Sequence, residues 1–298
     1  MKYTIAIPAY NNETTIEKAI ESCLNQKGEF DYEVLLSDDG SKDFSNNVYD
    51  KFLANPKFNL IKHENNSSLY ENHNRCLRAS KGEYVLFCHA DDTLFEDALL
   101  KIDLSLSSYN YPTKMVCFGR SFFRDFYRSY CHLGQLNKIV SGISVQELFQ
   151  HGGLTPSGTC YSKKSFLESG GFLPMQSRIT PSDISSMIKF SLNGAEFLML
   201  DRIIFNREYA STACNITEEE NYDARVEAIN ELFKVVGLTK METLFGNIDH
   251  YSNINLKHMI CMSKYSNNKA LKARLKLKYI ISNPLSLKNI FTLKLLFK

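Results

Sequence analysis

The sequence predicts an α/β fold: a mostly parallel, Rossmann-like sheet flanked by helices, followed by a mainly helical extension. Three observations predict it. Short apolar segments alternate with amphipathic ones through roughly the first 120 residues, the pattern of right-handed βαβ crossovers. The chain has 298 residues, of which 44% are hydrophobic and 23% charged, enough apolar material for a large core and too much for a disordered or fibrous chain. Three of the apolar segments end in polar, mostly acidic runs, where open parallel sheets bind ligands.

Residues 3–8, rich in Ile and Thr, read as a strand ending at Pro8. Thr14 and Glu17 have the spacing of a capping box, and Ile16, Ala19, Ile20, Cys23 and Leu24 form the stripe of an amphipathic helix. Tyr32–Leu36 is a second strand, stopped by the turn signal Ser37-Asp38-Asp39-Gly40-Ser41. A helix over 45–54, a strand at Phe58–Ile61 and a helix at Leu69–Ala79 follow. After the turn Lys81-Gly82 comes a fully apolar strand, Tyr84–Cys88, then a helix from Asp92 to about Leu106 and a strand at Met115–Phe118. The pattern loosens from about residue 130, with turn-rich Gly152-Gly153 and Gly170-Gly171-Phe172. A helix near Ser182–Leu192, a strand near Glu196–Leu200 and mostly helix beyond 222 complete the reading.

No run of 18 or more apolar residues occurs, so no membrane-spanning helix is expected. The first ten residues, with Pro8 and no apolar stretch of signal-peptide length, do not read as a signal peptide. The eight cysteines are scattered without a CxxC pair, which fits reduced, buried thiols in an intracellular protein. The net charge of +2 hides an asymmetry. Residues 1–249 hold 25 basic against 33 acidic residues, a net of −8, while residues 250–298 hold ten Lys and Arg and no acid. This balance argues against nucleic acid as a partner and points the tail toward an anionic surface.

Each loaded strand end has a chemical and a plain reading. In His89-Ala90-Asp91-Asp92 the carboxylates are hard oxygen ligands for Mg²⁺ or Mn²⁺; the alternative is a turn in which Asp92 or Thr93 caps the next helix. Asp38-Asp39-Gly40-Ser41 holds a ribose or base through its carboxylates, or is an ordinary turn. Tyr10 stacks on a base or simply packs. Their recurrence at three successive sheet ends favours a shared site.

The run IPAYNNETTIEKAIESCLNQ, then YEVLLSDDGSKD, then CLRASKGEYVLFCHADD resembles the nucleotide-binding half of glycosyltransferase family 2, in order, spacing and flanking strands. The resemblance implies a GT-A fold binding a nucleoside-diphosphate sugar, usually a UDP-sugar, with a divalent cation. It implies a transferase domain over 1–215, with a donor half at 1–120 and an acceptor half at 121–215, before a basic helical extension at 216–298. It places Pro8 and Tyr10 at the base, Asp39 at the uracil or ribose, and Asn74 in support. His89, Ala90 and Asp91 lie along the donor, with Asp91 as the metal ligand. Gly170-Gly171-Phe172 followed by Asp183 resembles the family's later segment, which makes Asp183 the catalytic base; Asp183 equally suits the start of a helix.

Three positions depart from the family pattern. His89 replaces the first Asp of Asp-x-Asp, which favours Mn²⁺ over Mg²⁺ if the imidazole ligates. Ser182 stands in place of the Glu that pairs with the base, and Arg207-Glu208-Tyr209 replaces Arg-x-His. Ligation needs a neutral His89, so activity is expected to fall below about pH 6.5. His63, His73, His132, His151, His250 and His258 read as structural or solvated.

The expected function is inverting transfer of a hexose or N-acetylhexosamine from a UDP-sugar to a glycan hydroxyl. The expected acceptor is a polyprenyl-diphosphate-linked intermediate of bacterial surface polysaccharide, such as an O-antigen. The expected place is cytoplasmic, peripheral on the inner face of the plasma membrane. The tail, Lys264–Lys298, carries nine of the last ten basic residues, and a final helix starting after Ser282-Asn283-Pro284 is suited to lie at a membrane surface. The alternative is a nucleotide-sugar-binding protein without transfer activity.

Overall fold

The computed structural model describes residues 1–122 except Phe44, then 136–141, 156–173, 182–207 and a few positions between 269 and 281. Among these residues nine strands form one sheet: β1 Tyr3–Ala9, β2 Tyr32–Asp38, β3 Phe58–Lys62, β4 Tyr84–Phe87, β5 Thr93–Leu94, β6 Met115–Ser121, β7 Ile139–Ser141, β8 Thr159–Ser162 and β9 Glu196–Asn206. The helices are α1 Ile16–Leu24, α2 Ser45–Tyr49, α3 Leu69–Ala79, α4 Ala98–Ser107, α5 Lys163–Glu168 and α6 Ser182–Leu192. The strand order is β3-β2-β1-β4-β8-β6-β9-β5, with β7 on β9. Pairings β1·β2, β1·β4, β2·β3 and β6·β9 are parallel, so β1, β2, β3, β4, β6 and β9 all run one way. The mostly parallel sheet is as the sequence predicts.

The chain steps from β1 outward to β2 and β3, then returns through α3 to the other side of β1. This reversal makes a switch point between β1 and β4, the usual place for a crevice at the strands' carboxyl ends. Pairing of β1 with β4 stops at Ala6–Phe87, whereas β1 stays paired with β2 through Ala9–Asp38. The crevice opens there.

Core packing accounts for the regular elements. Ile16, Ala19, Ile20 and Cys23 of α1 are all fully buried, and each buried Ile contributes roughly 1.5–3 kcal/mol. The turn before β4 is held by the Lys81 N–H on Glu33 Oε1 (2.7 Å) and the Gly82 N–H on Thr4 Oγ1 (2.9 Å). A Cβ on Gly82 would lie 2.4 Å from the backbone nitrogen of Thr4, so only glycine lets this turn meet β1.

Several boundaries differ from the expectation. No capping box forms at Thr14: the cap position is Thr15, whose side chain takes no N–H of the helix. The helix expected over 45–54 breaks into α2 and a 3-10 turn at Asp50–Phe52. Asp92 and Thr93 do not cap a helix, because Thr93–Leu94 pairs as a strand with Phe205 and Asn206 and α4 begins at Ala98. The last strand runs past Leu200 to Asn206. A break in the β6·β9 register turns Asp201 and Arg202 to solvent, after which Ile204 and Phe205 are buried again.

Cys23, Cys76, Cys88, Cys117 and Cys160 are buried free thiols. No helix among the described residues is long and apolar enough to cross a membrane. The expected boundaries at 215 and 216, and the final helix after Pro284, lie outside the described residues; Lys269, Ala273, Lys276, Leu277, Ile280 and Ile281 are helical.

Candidate active site

The three loaded loops emerge side by side from the carboxyl ends of β2, β1 and β4. The first two are laced together. The Asp39 N–H donates to the Ala9 carbonyl (2.9 Å), the Asn11 N–H to Ser41 Oγ (2.9 Å), and the Lys42 N–H to Asn11 Oδ1 (2.8 Å). Asn72 of α3 closes the set, donating to the Ser37 carbonyl (2.9 Å) and accepting from Ser37 Oγ (2.6 Å). Pro8 is buried here opposite Ser37, and Tyr10 is partly exposed beside it.

Of the two neighbouring aspartates, Asp38 is structural: it accepts from the Ser41 N–H and hydroxyl and from the Tyr49 hydroxyl. Asp39 turns toward the loop before α3. Its carboxylate, 2% exposed, accepts from the Ser67 N–H (3.0 Å to Oδ2), the Ser67 hydroxyl (2.9 Å) and Arg75 Nη1 (2.7 Å).

At the end of β4, one ligand atom each from His89, Asp91 and Asp92 lies within 4.8 Å of the others. Asp92 is buried in this group rather than capping a helix. The Asp92 N–H closes a turn onto the His89 carbonyl (3.0 Å), and Ser157 Oγ holds the His89 N–H (3.1 Å). His89 Nδ1 is 4.0 Å from Asp92 Oδ2. Burial and the nearby Arg207 guanidinium push the His89 pKa down to about 4, so His89 stays neutral well below the pH 6.5 expected from sequence. One nitrogen and two carboxylates form a donor set that suits Mn²⁺ at least as well as Mg²⁺. Ala90, expected along the donor, is 2% exposed and packs in the core.

Helix α3 ties this group to the second half of the chain. Asn74 donates to the Phe172 carbonyl (2.8 Å) and accepts from its N–H (2.9 Å). The Leu173 N–H then donates to Ser186 Oγ of α6 (2.9 Å). Asp183, in the first turn of α6, is 8% exposed and hydrogen-bonded to Tyr70 of α3. Burial first, and then this carboxylate, drive the Tyr70 hydroxyl pKa well up, which keeps the phenol a proton donor toward Asp183. Asp183 thus opens α6 with its carboxylate buried against Tyr70.

His73, read from sequence as structural or solvated, is buried beside this site, and Ser67, Tyr70 and Arg75, which the sequence did not single out, contact its carboxylates. His73 is fully buried among the rings of Tyr70, Phe87 and Phe172, with Nε2 3.1 Å from His89 Nε2. The signal was present. Asn72-His73-Asn74-Arg75 places four consecutive polar residues around one short helix, and no single helical face can expose them all.

The profile described as Glycosyl transferase family 2 matches residues 4–162, more than half of the chain. The chain belongs to this family. It is 36% identical over 101 residues to the Staphylococcus aureus poly(ribitol-phosphate) beta-N-acetylglucosaminyltransferase TarP, covering 33% of this chain and 31% of that protein. It is 33% identical over 105 residues to a Bacillus spizizenii poly(ribitol-phosphate) beta-glucosyltransferase, covering 34% and 16%. The matches thus span less than a third of each relative. Among solved structures, S. aureus TarS 1–349 in complex with UDP-GlcNAc aligns with TM-score 0.61 at 16% identity, over 95% of this chain and 78% of that one. The mannosyltransferase PcManGT of Pyrobaculum calidifontis in complex with GDP-Man and Mn²⁺ aligns at 0.62 and 14%, over 99% and 84%. At these identities the likeness is one of fold: this family-2 chain has the GT-A architecture.

Proposed function

We propose that this family-2 chain is an inverting glycosyltransferase moving a hexose or N-acetylhexosamine from a UDP-sugar to a hydroxyl of a glycan acceptor. The observation that carries the reading is convergence: Asp39, the His89–Asp91–Asp92 group and Asp183 all meet helix α3 at one end of the sheet. Pro8 and Tyr10 line the base, Asp39 takes the uracil or ribose, and Asn74 supports the floor. Asp91 and His89 would hold a divalent cation, which when bound would supply positive charge at the leaving diphosphate. Asp183 removes the acceptor hydroxyl's proton as that oxygen attacks the anomeric carbon opposite the diphosphate, which inverts the configuration. UDP-GlcNAc in the TarS structure and Mn²⁺ in the PcManGT structure support the donor and ion.

The poly(ribitol-phosphate) named for TarP and the Bacillus enzyme supports a polymeric surface-glycan acceptor; we assign it as polyprenyl-diphosphate-linked. The transferase domain spans 1–215 and the basic extension 216–298. That extension holds the protein on the anionic inner face of the plasma membrane. Leu277 and Ile281, one helical turn apart and both exposed, support this; sedimentation with anionic and neutral liposomes, against a chain ending at Ser263, tests it. Thermal shift with UDP-Glc, UDP-Gal, UDP-GlcNAc and UDP-GalNAc, with and without Mn²⁺, identifies the donor.

His89 and Ser182, where the family carries carboxylates, favour a second reading: donor binding without transfer. UDP release that depends on acceptor decides between the two.

A further inference from the structure

We propose that His73 is a positioning residue for the candidate cation site: it accepts the Nε2–H of His89 and thereby fixes the tautomer whose Nδ1 lone pair faces Asp92. The inference rests on the cation-assisted donor site proposed above and deepens it.

His73 Nδ1 lies 2.6 Å from the Leu69 carbonyl, one turn back in α3. A carbonyl oxygen only accepts, so His73 Nδ1 carries a hydrogen. A second proton on His73 would place a charge in a fully buried aromatic setting. His73 Nε2 therefore holds a lone pair. The His89 Nε2 at 3.1 Å completes a hydrogen bond only by donating. In neutral His89 the remaining nitrogen, Nδ1, is then a bare lone pair.

That lone pair sits 4.0 Å from Asp92 Oδ2, within the same group as Asp91. An imidazole electron pair and two carboxylates gathered within 4.8 Å of one another suit a cation. Histidine ligands of metals usually donate their other N–H to a carbonyl, carboxylate or water, and loss of such a partner weakens metal binding about 10–100-fold. Here a second imidazole takes that part, itself fixed by the backbone of α3. Without it, the two His89 tautomers compete, and one of them turns an N–H at the ion.

Mn²⁺ affinity, read by the electron paramagnetic resonance of free Mn²⁺ in the presence of UDP, tests the proposal without sugar transfer. His73→Phe fills the aromatic pocket but accepts nothing, and should bind Mn²⁺ about 10–100-fold more weakly. His73→Gln, with an acceptor oxygen at similar reach, should recover most of the affinity. In a His89→Ala background, His73→Phe should add no further loss. Wild-type Mn²⁺ affinity in His73→Phe, no recovery in His73→Gln, or additive losses would each overturn the proposal.

Long-range proton–nitrogen NMR of the wild-type imidazoles reads the tautomer whether or not the variants fold. His89 protonated on Nε2 is expected, and protonation on Nδ1 overturns the inference. Wild-type protein that binds no Mn²⁺ overturns it as well. UDP affinity measured in chelator tells that outcome apart from failure of the donor-site reading.

Discussion

Asn74 and Phe172, 98 residues apart, exchange two hydrogen bonds: the Asn74 amide donates to the Phe172 carbonyl at 2.8 Å and accepts from its N–H at 2.9 Å. One side chain thus satisfies both backbone groups of a buried residue and pins the Gly170-Gly171-Phe172 segment to α3. Gly171 has φ +62°, and a Cβ there would stand 2.5 Å from Asn74 Oδ1. Asn74→Ala leaves two buried backbone groups unsatisfied, at about 1–3 kcal/mol each. The expected loss is about 2–6 kcal/mol, read from denaturant midpoints. A loss under about 0.5 kcal/mol, the size of an ordinary surface change, would show that water or another partner replaces the clamp.

Asp91→Ala should abolish the metal-dependent part of UDP-sugar binding while leaving the fold intact. Asp91 is partly exposed at a strand end, so its removal opens no core cavity. Titration calorimetry with UDP, with and without Mn²⁺, measures the difference, and circular dichroism checks the fold. Wild-type enhancement by Mn²⁺ in this variant would place the ion elsewhere.

Asp183→Asn keeps the size of the side chain and its hydrogen-bonding capacity toward Tyr70, but cannot take a proton. Turnover should fall roughly 10²–10⁴-fold with donor affinity little changed. Loss of stability and donor binding together would make Asp183 a structural residue. Retention of the donor's anomeric configuration in the product would rule out single displacement with Asp183 as base.

Stability of the metal-free protein should decline on acidification below about pH 6.5, the ordinary histidine value. Burial depresses His73 to about 3, and burial with the Arg207 charge depresses His89 to about 4. Between these values and 6.5 the unfolded chain binds protons that the folded chain refuses, so acid favours unfolding; above pH 6.5 neither histidine contributes a slope. Each adds about 1.4 kcal/mol per pH unit within its window. Urea midpoints from pH 7.5 to 5 should show the decline, and His73→Phe should make it shallower. An identical slope in that variant would mean that His73 is protonated in the folded state.

By itself the sequence determined the alternation of strands and helices, the parallel half of the sheet and the three loaded strand ends. These are local properties. A run such as Tyr84–Cys88 is apolar throughout because it is buried on both faces, and the stripe from Ile16 to Leu24 repeats because one helical face meets the core. The resemblance to the family was legible for the same reason, since its motifs are contiguous.

Only the tertiary structure decided which of those residues meet. Asp92 read as a helix cap until Thr93–Leu94 found its partner in β9, more than 100 residues away. Asn74, expected in support, found what it supports in Phe172, and His73 met His89 when the crossover laid α3 under the end of β4. Nothing within ten residues of His73 announces His89, because a hydrogen bond between two imidazoles leaves no periodicity in the chain. Propensity and hydrophobic pattern act over a few residues, whereas a site is a set of side chains that topology brings together from distant strands.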